Sequence, residues 1–436
     1  VFENLLGQDE VVRALKIDVE AGRLPPAILF YGPPASGKLS AALELARALS
    51  CARPRDPGSP GSWAAWNCPC AACSRHRSLV HPDLALLGPR SFPEEISAAL
   101  ELLGRSPGPA SAYFFARAAR KLTRRFDAFL YEGEESRLTK AAGLLRGLEE
   151  TLDAVAPERA LPGALAPGAD KAASESAALC AKLEAFVPGT PPVFMIRNIE
   201  FWARLAPLGP RKTVIIENAD RMQDASRNAL LKILEEPPDS VRFVLHSSRR
   251  SAVMTTILSR ARTYHFVARD PSATTLVVER IFRSSEPAPS VESFLAARRA
   301  FPPAEARARA EAFLGAALVA RLERETLAPP LAALAREARS VGQAPSAALA
   351  DLLEATKDFG QRDDRFSSSF RSFLAALSAT LGDILSEEGA GADAVGFVER
   401  AAALIRAASS DYETLNRSPG LLAESLLYAL SEGRSP

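Results

Sequence analysis

Two groups of residues have types and spacings that could do chemistry. The first is Gly32-Pro33-Pro34-Ala35-Ser36-Gly37-Lys38, two glycines separated by four residues, with a lysine directly after them. Glycines let a backbone wrap closely so that its N–H groups face phosphate oxygens, and Lys38 is placed to reach the terminal phosphates of a nucleotide. Such a loop ordinarily continues with Ser or Thr, whose hydroxyl ligates Mg²⁺. Here Leu39 takes that position, and a hydroxyl arrives only at Ser40. One residue on a helix is a rotation of about 100 degrees, so Ser40 is expected to point away from the phosphates. The loop is degenerate, compatible with ATP or ADP but short of a metal ligand.

The second group is Cys51, Cys68, Cys70 and Cys73. Four thiolates this close in sequence suit tetrahedral Zn²⁺, and the two residues between Cys70 and Cys73 form the usual chelate spacing. Cys68-Pro69-Cys70 is tighter than usual, so three cysteines with His76 or His81 as the fourth ligand is an alternative, and four metal-free buried thiols another. Five cysteines, four of them clustered, fit a metal site in a reducing compartment better than a disulfide framework. Cys180, apart from the rest, reads as a small buried helix residue.

The elements that must hold these groups are legible around them. Val11 to Glu20 has a helical pattern, Ala27 to Tyr31 reads as a buried strand, and Leu39 to Leu49 as a helix. That is the strand, turn and helix order a phosphate loop requires. Further strands are expected at Val214 to Ile216, Arg242 to His246 and Tyr264 to Val267, with a helix N-capped by Asp224 and ended by Pro237-Pro238. Alternating strands and helices predict a mostly parallel α/β sheet covered on both faces. Residues 93–190 change to an Ala-, Leu-, Arg- and Glu-rich helical composition and read as an insertion. The same composition returns after Asp270, predicting helices throughout, in one small bundle followed by a second. The expected division is an α/β domain over 1–267, a helical lid over 268–330 and a helical C-terminal domain over 331–436. A zinc module spans about 51–83.

With 436 residues, 53 Lys+Arg and 52 Asp+Glu, the chain is long enough for several cores and offers no overall basic field for nucleic acid. No long uncharged apolar stretch and no signal-type start is present, which reads as cytoplasmic. Arg117, Arg120, Lys121, Arg124 and Arg125, interleaved with Phe114, Phe115 and Phe126, form a basic stripe at helical spacing. It reads first as a solvated face, and second as a contact for DNA phosphates or an acidic partner.

Taken in order, these motifs resemble a known family. Phe2-Glu3-Asn4-Leu5-Leu6-Gly7-Gln8, the phosphate loop, the cysteines and His81-Pro82-Asp83-Leu84 precede the insertion. Ile196-Arg197, Val214 to Met222, the run Asn228 to Pro238 containing Leu230-Leu231-Lys232-Ile233-Leu234-Glu235-Glu236, and Ile257-Leu258-Ser259-Arg260 follow it. The series is similar to clamp-loader subunits of bacterial DNA polymerase III, the delta-prime type most and the gamma/tau motor type less closely. The resemblance implies an AAA+ type domain, a lid and an oligomerising collar. It also implies delta and gamma/tau subunits as partners, with a sliding clamp and primed DNA reached through the assembly. In motor subunits of the family an Asp-Glu pair supports Mg²⁺ and polarises the attacking water. Those positions fall on Glu217 and Asn218, and an amide cannot take the water's proton. Arg260 aligns with an arginine that points at a neighbour's ATP, and Ser247 or Ser248 with a polar sensor. The implied role is a mostly non-hydrolysing subunit lending Arg260 in trans. A gamma/tau-like ATPase and a zinc-stabilised replication adaptor are the alternatives.

Overall fold

The computed structural model describes residues 1–53, 64–298, 303–322, 326–340, 365–386, 391–415 and 417–432. Part of the expected zinc module, 54–63, and part of the expected C-terminal domain, 341–364, therefore lie outside the described residues. Contacts divide the chain into two compact units, Val1–Leu295 and Ala296–Pro436.

Strands β1 (Ala27–Tyr31), β2 (Leu84–Leu87), β3 (Lys212–Ile216), β4 (Val241–Ser247) and β5 (Arg262–His265) form one sheet in the order β2-β3-β4-β1-β5. Every pairing is parallel. Successive side chains point to opposite faces, so a strand buried on both sides must be apolar throughout. Ile28, Phe30, Leu84, Leu86, Ile215 and Val244 lie in one core with helices α1 (Asp9–Glu20) and α2 (Lys38–Leu49). Leu29, Leu87, Val214, Ile216, Phe243 and Leu245 lie in a second core. That core includes α4 (Pro93–Arg105), α5 (Pro109–Thr123), α6 (Glu135–Ala154), α7 (Ala169–Glu184), α8 (Val193–Arg204) and α9 (Asp224–Glu235). The short α3 (Ala71–Arg77) carries the last cysteine, and α10 (Thr255–Leu258) leads into β5.

Several expectations differ from this arrangement. β2 was not among the expected strands: Leu84-Ala85-Leu86-Leu87 has little intrinsic strand preference and becomes a strand by pairing in register with Thr213 to Ile216. Asp224 is the first helical residue of α9, and Gln223 holds the cap position. The last strand ends at His265, not Val267. Helices of 93–190 pack on the sheet and supply much of its second core, with Phe115, Leu122, Leu148 and Leu183 fully buried there.

Helix α11 (Pro271–Ile281) and Phe294 of α12 (Val291–Ala296) close a small cluster with Ala98 in the first unit. In the second unit, α13 (Pro303–Leu322), α14 (Pro329–Ser340), α15 (Arg365–Ser386), α16 (Ala392–Leu415) and α17 (Pro419–Glu432) share a single core around Phe313, Leu377, Phe397 and Leu426. The described helices there make one bundle rather than two in succession. Among the described residues no helix is long and apolar enough to cross a membrane.

Candidate functional site

The phosphate loop leaves β1 at Tyr31 and enters α2 at Lys38. Gly32 has φ +144°, and a Cβ there would lie 2.0 Å from the Phe266 carbonyl oxygen, so the turn demands glycine. The Arg269 guanidinium pins the loop, donating to Ala35 O at 2.6 Å and Leu6 O at 2.9 Å. Lys38 Nζ donates to Gly32 O at 2.5 Å and Pro33 O at 2.6 Å. Burial lowers its pKa to about 8, against the opposing pull of Glu217. Leu39 is buried in the α2 core and Ser40 is exposed, so the hydroxyl at 40 is turned out of the site.

Under the loop, Glu217 follows β3 and is almost wholly buried. Its Oε2 accepts from Arg125 Nη2, its Oε1 lies 3.6 Å from Arg90 Nη1, and His246 Nδ1 is 3.9 Å from Oε1. Burial alone would raise the carboxyl, but Arg90, His246 and Arg125 together hold it down at about 2. Arg90 Nη2 also reaches Glu95 Oε2 at 3.1 Å, and Glu95 in turn pairs with Lys121. Asn218, in the left-handed region at φ 54°, spends its amide on Pro89 O at 2.7 Å. A carboxylate committed to two guanidiniums is neither a free base nor a free metal ligand.

Ser247 is buried, and its hydroxyl donates to Arg249 O at 2.7 Å within its own turn, whereas Ser248 is exposed. The group that stands beside Glu217 on this strand is His246, stacked on Phe30, with Nε2 buried and unpartnered. Burial lowers its pKa, so the ring is neutral.

The four cysteines come together. Their Sγ atoms all lie within 4.8 Å of one another, and Cys51 Sγ is 3.8 Å from Cys68 Sγ. Thiolates about 2.3 Å from a tetrahedral zinc would be separated by about 3.8 Å by simple geometry, so the donor set fits that ion. Burial pushes the Cys51 and Cys73 thiols up. At Cys70 burial is outweighed by N–H groups of Cys73 and Ala52, and the pKa falls to about 6. Neither histidine joins the group. His76 stacks on His81 at 4.1 Å, is driven to about 2 by burial, and leaves both ring nitrogens unpartnered; His81 Nδ1 accepts from the Asp83 N–H. Asp83 itself caps a turn, accepting from Leu208 N and Gly209 N.

The supports of this site were not evident from sequence. Arg47, fully buried, is held by Glu44 and donates to Ala64 O at 2.5 Å, Ala65 O at 2.9 Å and Cys73 Sγ at 3.3 Å. Arg77 donates to Trp66 O and Cys68 O, both at 2.8 Å. The basic stripe is neither a solvated face nor a free nucleic-acid surface. Arg117 donates to His76 O and Arg77 O, Arg120 to Ser78 O, and Arg124 to His81 O and Leu84 O. Lys121 and Arg125 are buried in the Glu95 and Glu217 pairs. The reason is local: the last carbonyls of α3, the irregular chain from 78 to 83 and the outer face of Leu84 at the start of β2 leave carbonyls that need donors, and α5 lies against them. Phe115 and Phe126 are core residues, and Phe114 packs on Phe282.

Arg260 lies at the outer end of α10. It is exposed, donating to Thr256 O at 3.0 Å and pairing with Glu235 Oε1 at 3.0 Å. Ala261 behind it is buried. The loop, the Glu217 strand and the exposed arginine all lie within segments that match one family description. The family described as "DNA polymerase III, delta subunit" matches residues 7–105 and 194–270, on either side of the inserted helices.

The chain resembles the clamp-loader subunits of DNA polymerase III.

It is 35% identical over 74 residues to the DNA polymerase III subunit delta' of Haemophilus influenzae, covering 17% of this chain and 23% of that protein. With the delta' subunit of Escherichia coli it shares 41% over 66 residues, covering 15% and 20%. With the gamma/tau subunit of Mycobacterium tuberculosis it shares 44% over 52 residues, covering 12% and 9%. The aligned parts thus span less than a quarter of the length of each of these relatives.

Proposed function

We propose that the chain is a delta-prime-like clamp-loader subunit that hydrolyses little or no ATP itself and supplies Arg260 to a neighbouring ATPase. The observation that carries this reading is the state of Glu217 and Asn218. The carboxylate is bound by Arg125 and faces Arg90, and the amide beside it is spent on Pro89 O. Hydrolysis needs a base or water-orienting group, worth on the order of 10² to 10⁴ in rate, and neither residue is free to serve. Leu39 removes the hydroxyl that would help hold Mg²⁺. Arg260, by contrast, is exposed and held by local hydrogen bonds to Thr256 O and Ser259 Oγ and by a surface ion pair with Glu235, a pair worth about 0 to 1 kcal/mol. A partner's triphosphate could take it from Glu235 at little cost.

In this role the chain would assemble with delta and gamma/tau subunits, through the C-terminal bundle as a collar, and would act on a sliding clamp and primed DNA only within the assembly. Zn²⁺ would be held by the four cysteines as a structural ion, fixing the 64–83 segment. The test is a reconstituted complex carrying Arg260→Ala. The variant should fold and assemble, while DNA- and clamp-stimulated hydrolysis falls. A finger supplied in trans is worth about 10³ to 10⁵ at a single site, and other ATPase sites would mask part of it. Unchanged clamp loading by that complex would favour the adaptor reading. Steady turnover by the purified chain, abolished by Lys38→Ala, would favour the gamma/tau-like motor.

A further inference from the structure

A nucleotide loop of this type ordinarily takes its ligand together with Mg²⁺. The residues present do not fit that ion. Leu39 offers no oxygen and is buried in the core, Ser40 is exposed, and the Glu217 carboxylate is already matched by cationic groups. The departure is built into the backbone. Gly88, at φ +92°, ends β2 so close to Glu217 that a Cβ there would lie 2.2 Å from the Glu217 carbonyl oxygen. Only glycine allows this approach. It turns the chain so that Arg90, two residues on, sets its guanidinium beside the Glu217 carboxylate, where a motor subunit would gather a divalent cation.

We infer that the loop binds a polyphosphate ester without a divalent cation, the Arg90 guanidinium standing in for Mg²⁺. Two cationic groups, Lys38 and Arg90, serve that place. Lys38 stands at the start of α2 and feels the fields of Glu217 and Arg90. Arg90 keeps about a quarter of its side chain exposed (24%), while Glu217 and Glu95 hold it from behind. His246 turns Nδ1 toward the Glu217 carboxylate and so supports that carboxylate rather than the ligand. A planar guanidinium recognises phosphate oxygens with paired donors, carries a fixed charge and needs no hydration shell to be stripped. An incoming phosphate would take the Lys38 ammonium from the carbonyls of Gly32 and Pro33, contacts that add no charge neutralisation of their own.

This goes beyond the finger role and does not depend on it, since Arg260 takes no part. The experiment is calorimetric titration of the full chain with ADP, once in excess Mg²⁺ and once in excess EDTA. The expected result is the same dissociation constant in both. A parallel titration with pyrophosphate shows whether the nucleoside adds affinity. Arg90→Gln should weaken ADP binding about tenfold or more in both solutions, the usual loss for a charge-assisted phosphate contact. Arg90→Lys should restore only part of it. Binding that needs Mg²⁺ and vanishes in EDTA overturns the inference, as does no ADP binding in either solution. A folded Arg90→Gln chain that binds as tightly as the original overturns the assignment to Arg90. Should Arg90→Gln fail to fold, the EDTA comparison on the unmodified chain decides alone. The Arg260→Ala assay is independent of all these outcomes.

Discussion

At the scale of single residues, Cys68 and Lys38 carry the clearest consequences. The Sγ of Cys68 sits 3.8 Å from that of Cys51, whereas His76 and His81 are stacked on each other outside the sulfur group. Cys68→Ala should therefore abolish stoichiometric zinc, and His76→Ala should leave it in place, as measured by metal analysis of protein purified without chelators. Zinc retained by Cys68→Ala would make a histidine the fourth ligand. Lys38 is held to about 8 by burial, opposed by Glu217, Asp220 and Glu292 and assisted by Arg90. It is protonated at neutral pH and loses its charge as pH rises past that value. Anion binding at the loop should weaken between pH 7 and 9, and the trend should be absent from Lys38→Arg.

At the scale of elements, α5 is a strut. Its arginines, with Arg124 directly after it, donate to the carbonyls of residues 76, 77, 78, 81 and 84, which connect the cysteine group to β2. Truncating Arg124 leaves the Leu84 carbonyl without that donor, whereas His81 O keeps the Leu84 N–H at 3.3 Å. Unsatisfied buried polar groups cost about 1 to 3 kcal/mol each, so Arg124→Ala should lower stability by roughly that amount in a urea titration. An effect within experimental scatter would mean that water replaces the guanidinium. Zinc removal should loosen the same connection from its other end. Amide exchange should rise across 64–83 on chelation and stay unchanged in β1 and β4. Uniform acceleration would instead mark the metal as a support of the whole unit.

At the scale of the molecule, the buried network of Glu217, Glu95, Arg90, Arg125 and Lys121 joins the chain leaving β2 and β3 to α4, α5 and the turn after α5, and it sets the response to acid. The folded pKa of Glu217 is depressed from 4.5 to about 2, and that of Glu95 is also lowered. Such groups stabilise the fold fully above their unfolded pKa and lose that contribution as pH falls through the folded value. Asp127 acts the other way: burial raises it to about 6, so its protonation on mild acidification favours the folded state. Stability should hold down to about pH 4.5 and then decline toward pH 2. Glu217→Gln should flatten that decline in thermal unfolding curves. An identical acid profile in the variant would mean that the network's charges are not what acid removes.

The sequence alone determined the parts that depend on near neighbours. β1, the loop and α2 follow from an apolar run, a glycine-bounded turn and helical spacing, and the pair Cys70 and Cys73 follows from two-residue chelation. The degeneracy of the loop was equally plain, since Leu39 has no oxygen whatever its surroundings. What only the tertiary structure decided is how charges meet across long separations. Arg125 reaches Glu217 over 92 positions and Arg124 reaches His81 over 43. No local pattern distinguishes those arginines from a solvated helix face. The strand at 84–87 was hidden for the same reason, its conformation being supplied by β3 rather than by its own residues. Short-range chemistry is written in spacing, whereas the partner of a buried charge is fixed only when packing excludes water and brings distant donors and carbonyls within reach.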